Sequence, residues 1–192
     1  ADASMGSSVS SIFNKTNASP RGLFFPPMPH NDEAGWKRAI AVAPHFAKAV
    51  VTNFIGSSDS NKSFEGMNYP YPIFVTMEKT SEDLSYHLTE AVMENYDQFK
   101  DSGPGMDGYQ LSNQNFSWIF PYHPGAVKFY KEKGVWTSKH DKHNENLIKR
   151  QDVLAKAWQK TLKGNLSGDA FKTKWLENRA SALKAAGMPN AY

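Results

Sequence analysis

The chain has no cysteine, which removes disulfides, thiolate catalysis and cysteine-based zinc sites together. It has no apolar run of the roughly 18 residues that a membrane-spanning helix needs. No signal-peptide pattern is visible; the opening Ala1-Asp2-Ala3 reads as mid-domain sequence, so an upstream region carrying any targeting segment is expected. No block of like charge occurs. Lys and Arg are spread along a chain of net charge +3, so a nucleic-acid footprint is not expected. That small excess draws in anions only weakly at physiological salt. There is no Gly-x-Ser-x-Gly elbow, and Ser60-Asn61-Lys62-Ser63 lacks the Ser-x-x-Lys spacing, so hydrolase chemistry is not expected. Gly103-Pro104-Gly105-Met106-Asp107-Gly108 is glycine-rich without phosphate-loop spacing and reads as a connection. No internal repeat is present.

What is there describes a globular chain. Its 192 residues suffice for one large domain or two small lobes. A chain of that length buries roughly 70% of its unfolded surface and needs no metal or disulfide to fold. Apolar residues make up 40% and charged residues 21%, while aromatics reach 13%. The last value is high and suits aromatic packing or a stacking pocket.

The first 80 residues alternate strand and helix signals. Residues 1–20 are rich in Ser and Asn, with Val9, Ile12 and Phe13 as the apolar face. They read as a short helix with Asp2 or Ser4 near its start, or as a flexible tail. Leu23-Phe24-Phe25 reads as a buried strand between Gly22 and Pro26. Asn31-Asp32-Glu33 starts a helix carrying Trp36 and Ile40, which Pro44 kinks or ends. Ala49–Phe54 reads as a strand, residues 56–66 as a loop, and Ile73–Met77 as the clearest strand. The prolines at 70 and 72 hold the segment between extended.

The remaining residues are almost all helix. Thr80-Ser81-Glu82-Asp83 has cap chemistry ahead of a stripe of Leu84, Leu88, Ala91, Val92 and Phe99. Pro121-Tyr122-His123-Pro124-Gly125-Ala126 leads into a short helix that stops at Gly134. Thr137 or Ser138 caps a long helix with Leu147, Leu154, Trp158 and Leu162 on one face, closed by Gly164. Ser167 starts the last helix, lined by Phe171, Trp175 and Leu183 and stopped at Gly187. These patterns give an α/β class with few strands and heavy helical cover. The expected division is an α/β part over residues 1–79 and a helical region over residues 80–192.

Few residue groups carry chemistry. His140 and His143 have an i, i+3 spacing that can ligate zinc, but Asp141, Lys142 and Asn144 around them read as a solvated helix start. His30 and His45, beside prolines, read as packing residues. The serines between Ser4 and Ser11 offer hydroxyls and backbone N–H groups to a carboxylate or phosphate at a helix start, or simply cap it. Tyr69 and Tyr71 present phenols and flat faces stiffened by neighbouring prolines, for a ligand or for packing. No cofactor or metal is expected.

The run His123-Pro124-Gly125-Ala126, followed by aromatics and Glu132-Lys133-Gly134, resembles the C-terminal part of the TAXI-type solute receptors of TRAP transporters. Asp2-Ala3 is similar to the Asp-Ala pair that ends a ligand-lobe strand in that family. Asp83-Leu84-Ser85-Tyr86-His87-Leu88-Thr89-Glu90-Ala91 resembles its "Val-Tyr-x-Ile-Thr-Lys-Ala" helix. Gly134-Val135-Trp136-Thr137 and the run from Arg150 to Trp158 resemble the tail of one subgroup. The resemblance implies a periplasmic-binding-protein-like (type II) fold of two α/β lobes, here incomplete, with a mostly helical C-terminal half. It implies a periplasmic receptor that makes and breaks no bond and is not an enzyme. Its partners would be a small organic anion, TRAP membrane subunits and, through exposed strand edges, a second copy. Asp2, Ser4, Ser7, Tyr69 and Tyr71 are the ligand-binding residues it implies, with the Asp-Ala pair shaping the pocket floor. Two rival readings are a helical interaction or scaffold protein with no small-molecule site, and an enzyme using the histidines.

Overall fold

The computed structural model describes residues 3, 6–69, 73–103 and 105–191. The chain divides into two compact units. One comprises Ala1–Ile40, His45–Val75 and Glu90–Asn115; the other comprises Ala41–Pro44, Thr76–Thr89 and Phe116–Tyr192. The described residues form a helix-rich α/β structure with one two-stranded sheet.

The first unit is built around that sheet. Strand β1 (Ala47–Val51) pairs antiparallel with β2 (Phe64–Asn68), in a register running from Ala47 opposite Asn68 to Val51 opposite Phe64. Its core is aromatic. Phe25 stacks on Phe64 with centroids 5.5 Å apart and meets Phe13 and Phe54 edge-on at 5.7 and 5.8 Å. Phe13 comes from helix α1 (Ser11–Asn17), which starts at Ser11, well after the Asp2 or Ser4 expected near its start. Helix α2 (Glu33–Val42) starts where expected. Asp32 caps it by accepting from the Gly35 N–H at 2.8 Å, and it ends two residues before Pro44.

Two expected strands are absent. Leu23–Phe25 is not a strand: Phe25 plugs the aromatic core instead of joining a ladder, and Phe24 is exposed. The next segment is pinned to the sheet by a few polar contacts. Met28 N–H donates to the Glu65 carbonyl at 2.7 Å, His30 N–H donates to the Glu65 carboxylate at 2.9 Å, and Lys48 Nζ donates to the His30 carbonyl at 2.7 Å. Ile73–Met77 is also not a strand. Its residues are exposed, Met77 at 79%. A run of β-prone residues becomes a strand only where a partner offers a ladder and a face to pack on. Conversely, the expected loop over residues 56–66 gives way to β2 from Phe64.

Helix α3 (Glu82–Glu94), whose first eight residues belong to the second unit, is capped by Ser81, whose hydroxyl accepts the Leu84 N–H at 3.1 Å. Its stripe is not a buried face: Leu84 and Leu88 are 59% and 45% exposed, and Ser85 is the buried residue of the helix. The short α4 (Tyr96–Phe99) follows in the first unit. There the expected loop over residues 101–115 holds two single 3-10 turns, Met106–Tyr109 and Leu111–Asn113.

Helix α5 (Pro124–Glu132) closes at Gly134, whose φ of +71° is the left-handed conformation that favours glycine. The Tyr130 carbonyl then accepts the Val135 and Trp136 N–H groups at 3.1 and 3.2 Å. Phe116, Tyr122, Tyr130, Trp136 and His140 form one ring cluster beyond it, with Phe116 to Tyr130 at 4.8 Å. The long α6 (Ser138–Leu162) and α7 (Gly168–Ala185) pack as a hairpin on Leu147, Ala157, Thr161, Asn178 and Leu183. Asn165, after Gly164, and Gly168 at the start of α7 are left-handed, with φ of +47° and +55°.

Candidate functional site

The register of the sheet determines what lies at its open end. Ala47 pairs with Asn68, so one residue further out Phe46 comes opposite Tyr69. Their rings lie 5.9 Å apart. His45 packs on Phe46 at 4.4 Å and meets Tyr69 edge-on at 5.8 Å. All three side chains are half-buried. Burial holds the His45 pKa below its usual value, so the ring is neutral at pH 7 and offers one donor and one acceptor. A phenol, a neutral imidazole and flat ring faces are the parts from which small-molecule sites are commonly made.

Of the residues the sequence nominates, Tyr69 belongs to this cluster. Ser7 is exposed, and its carbonyl accepts the Ser10 N–H at 2.9 Å in the turn leading into α1. It is therefore four residues ahead of the helix start, not at it. Asp2, Ser4 and Tyr71 lie outside the described residues. His45 and Phe46 were not nominated. His45 reads in sequence as a packing residue, and only the hairpin register shows that it meets Tyr69.

Three other histidines, His123, His140 and His143, bond to backbone groups. His123 Nδ1 accepts the Gly125 N–H at 3.3 Å, while Nε2 donates to the Thr80 carbonyl at 3.0 Å. One ring thus caps α5 and ties it to the entry of α3. Pro124 supplies a pre-set first helical residue. Gly125 is buried where a Cβ would overlap the Glu82 carbonyl and come within 2.7 Å of the Tyr86 nitrogen. Tyr86 donates to the Glu132 carboxylate at 2.6 Å across the same helix pair. His143 Nε2 donates to the Trp118 carbonyl at 2.8 Å, and His140 Nδ1 accepts the Thr137 N–H at 3.1 Å. Among the described residues no group of His, Asp and Glu is arranged to hold a metal ion.

The fold and the cluster define a helix-rich α/β protein with an aromatic, hydrogen-bonding patch at the mouth of a hairpin. The family model of the NMT1-like family matches residues 39–134, half of the chain. The chain belongs to the NMT1-like family, a periplasmic solute-binding-type family. The matched stretch contains His45, Phe46, Tyr69 and the His123-Pro124-Gly125-Ala126 run, and does not reach Ser7. No curated protein and no solved structure matches the chain. Among the described residues no helix is long and apolar enough to cross a membrane.

Proposed function

We propose that this chain is an extracytoplasmic solute receptor, or part of one, that binds a small organic anion in the periplasm for TRAP-type transport. Its membership of the NMT1-like family carries the reading. The finer assignment to the TAXI group rests on the sequence resemblance alone. In this reading the fold is a two-lobe binding protein. Ligand favours the closed state because it contacts both lobes, and TRAP membrane subunits then receive it. No bond is made or broken, and the protein is not an enzyme.

We place the ligand contact at Tyr69, with His45 and Phe46 beside it, because these ring side chains cluster together inside the family-matched stretch. The Tyr69 hydroxyl and the His45 ring would donate to a carboxylate, and Phe46 would pack against the carbon skeleton. Ser4, Ser7 and Tyr71 remain part of the proposal as further donors, with Asp2 shaping the pocket floor. A second copy pairing through the sheet edge is the proposed route to a dimer.

Native mass spectrometry of the full chain with a panel of small carboxylates tests the reading. A discrete adduct on wild-type protein that weakens by about ten- to a hundredfold in Tyr69→Ala and in His45→Ala supports it, since a lost charge-assisted hydrogen bond is worth about 1.5–3 kcal/mol. An adduct indifferent to both substitutions removes the site from Tyr69. No adduct at millimolar carboxylate overturns the receptor reading for this chain.

A further inference from the structure

The α6–α7 hairpin has a charge distribution that the receptor reading does not use. Residues 137–191 hold eleven Lys and Arg against five Asp and Glu, whereas residues 1–136 hold eleven against fourteen. The hairpin is therefore basic on a chain whose other part is acidic. Within it, Lys156, Lys160 and Lys163 follow at i, i+4 and i+7, one face of α6 spanning about 10 Å of helix axis. All three are exposed, and among the described residues none of the three makes an ion pair.

This row borders two open depressions. One, of about 350 Å³, lies along α6 and is lined by Ala155, Gln159 and the three lysines. The other, of about 290 Å³, is a groove between the helices. Lys156 and Lys160 stand on one side and Ser181 on the other, and Val153, Ala157, Ala182 and Ala185 supply the apolar lining. Small side chains let another backbone come close, and flanking ammonium groups choose its charge.

We propose that this lysine-flanked groove docks an acidic helical segment of a partner protein. The partner helix would place carboxylates at the same i, i+4, i+7 spacing against the lysines and small apolar residues in the groove. The basic face complements acidic side chains, steers their approach and excludes basic ones. A bilayer is a poorer fit, because a flat anionic surface does not enter a groove. A nucleic acid is a poorer fit because the forked donors that grip phosphates are engaged elsewhere. Arg150 donates to the carbonyls of Pro189 and Ala191 at 2.7 and 2.6 Å, and Arg179 donates to that of Ala191 at 2.9 Å. What remains at the groove is lysine, which acts as a point charge. The proposal is independent of the receptor reading.

The test is fluorescence anisotropy with the whole chain and a labelled, alanine-rich synthetic helix bearing glutamates at i, i+4 and i+7. The triple variant Lys156→Gln/Lys160→Gln/Lys163→Gln is expected to bind it about tenfold more weakly, as for a few modest charge pairs lost together. The charge-matched variant Lys139→Gln/Lys142→Gln/Lys149→Gln is expected to bind it as the wild type does. Ser181→Trp, which fills the groove from an exposed position and leaves the charge unchanged, is expected to abolish binding. Circular dichroism confirms that each variant is folded. Equal losses in the two triple variants, or no effect of Ser181→Trp, overturn the proposal. So does tighter binding to anionic vesicles or duplex DNA than to the peptide.

Discussion

At the scale of single residues, the tightest constraint is Gly125. It carries no unusual backbone angle; it is glycine because the first turn of α5 lies against the first turn of α3, with no room for a Cβ beside the Glu82 carbonyl. Gly125→Ala must push the helices apart and is expected to lower unfolding free energy by about 1–3 kcal/mol, read as a lower urea midpoint. A midpoint equal to wild type would show that the contact yields freely.

His140 gives the protein a pH dependence of definite sign. Burial, then Lys139 and His143, hold its pKa below the usual 6.5, with Asp141 opposing. Its Nδ1 accepts the Thr137 N–H, which a protonated ring cannot do. The unfolded chain therefore takes up the proton first as pH falls, so this contribution is full above about pH 6.5 and declines below it. The His45 pKa is displaced in the same direction by burial. Thermal melts should fall between about pH 7 and pH 5, and less steeply in His140→Gln, whose amide can still serve the cap. An unchanged slope in that variant would contradict the assignment.

At the scale of elements, the α6–α7 hairpin depends on a buried polar pair. Thr161 Oγ accepts from Asn178 Nδ2 at 3.0 Å and itself donates to the Ala157 carbonyl at 2.9 Å. Both side chains are buried. Asn178→Ala leaves the threonine oxygen without its donor and is expected to cost about 1–3 kcal/mol, whereas Thr161→Val with Asn178→Leu together should cost less. Chemical denaturation of the three variants decides this; a double variant worse than Asn178→Ala would mean that the pair specifies the helix packing.

The same hairpin shows what was legible beforehand. Its limits were readable because Thr137 and Gly187 act on their own few neighbours, and caps and stops are local. The α2 start at Asp32 and the α5 stop at Gly134 were readable for the same reason. Strands were not, because pairing is a contact between distant segments. Ile73–Met77 has strand composition but joins no strand, while Phe64–Asn68, with a glycine and two polar residues, is β2. Periodicity also misled at Leu84 and Leu88, whose stripe lies open while Ser85 and Gly125 occupy the tight side. The candidate site was half readable. Tyr69 stood out just before Pro70, but His45 and Phe46 join it only through the register of the hairpin, a contact between distant segments.

At the scale of the whole molecule, family membership and resemblance point the same way to different depths. The NMT1-like match over residues 39–134 establishes a solute-binding type. The run from Arg150 to Trp158, TAXI-like by sequence resemblance alone, lies outside that match in α6, where the basic row also lies. The proposed solute contact and the proposed docking groove lie on different stretches of the chain. Tyr69→Ala should weaken solute binding and leave acidic-peptide binding intact, and the Lys156/Lys160/Lys163 variant should do the reverse. Loss of both functions in either variant would contradict their separation.

The most direct measurement is native mass spectrometry of the gently purified full chain with and without small carboxylates. A discrete ligand mass on monomer or dimer, diminished in Tyr69→Ala, is the result the receptor account predicts. Protein masses unchanged at millimolar carboxylate would contradict it.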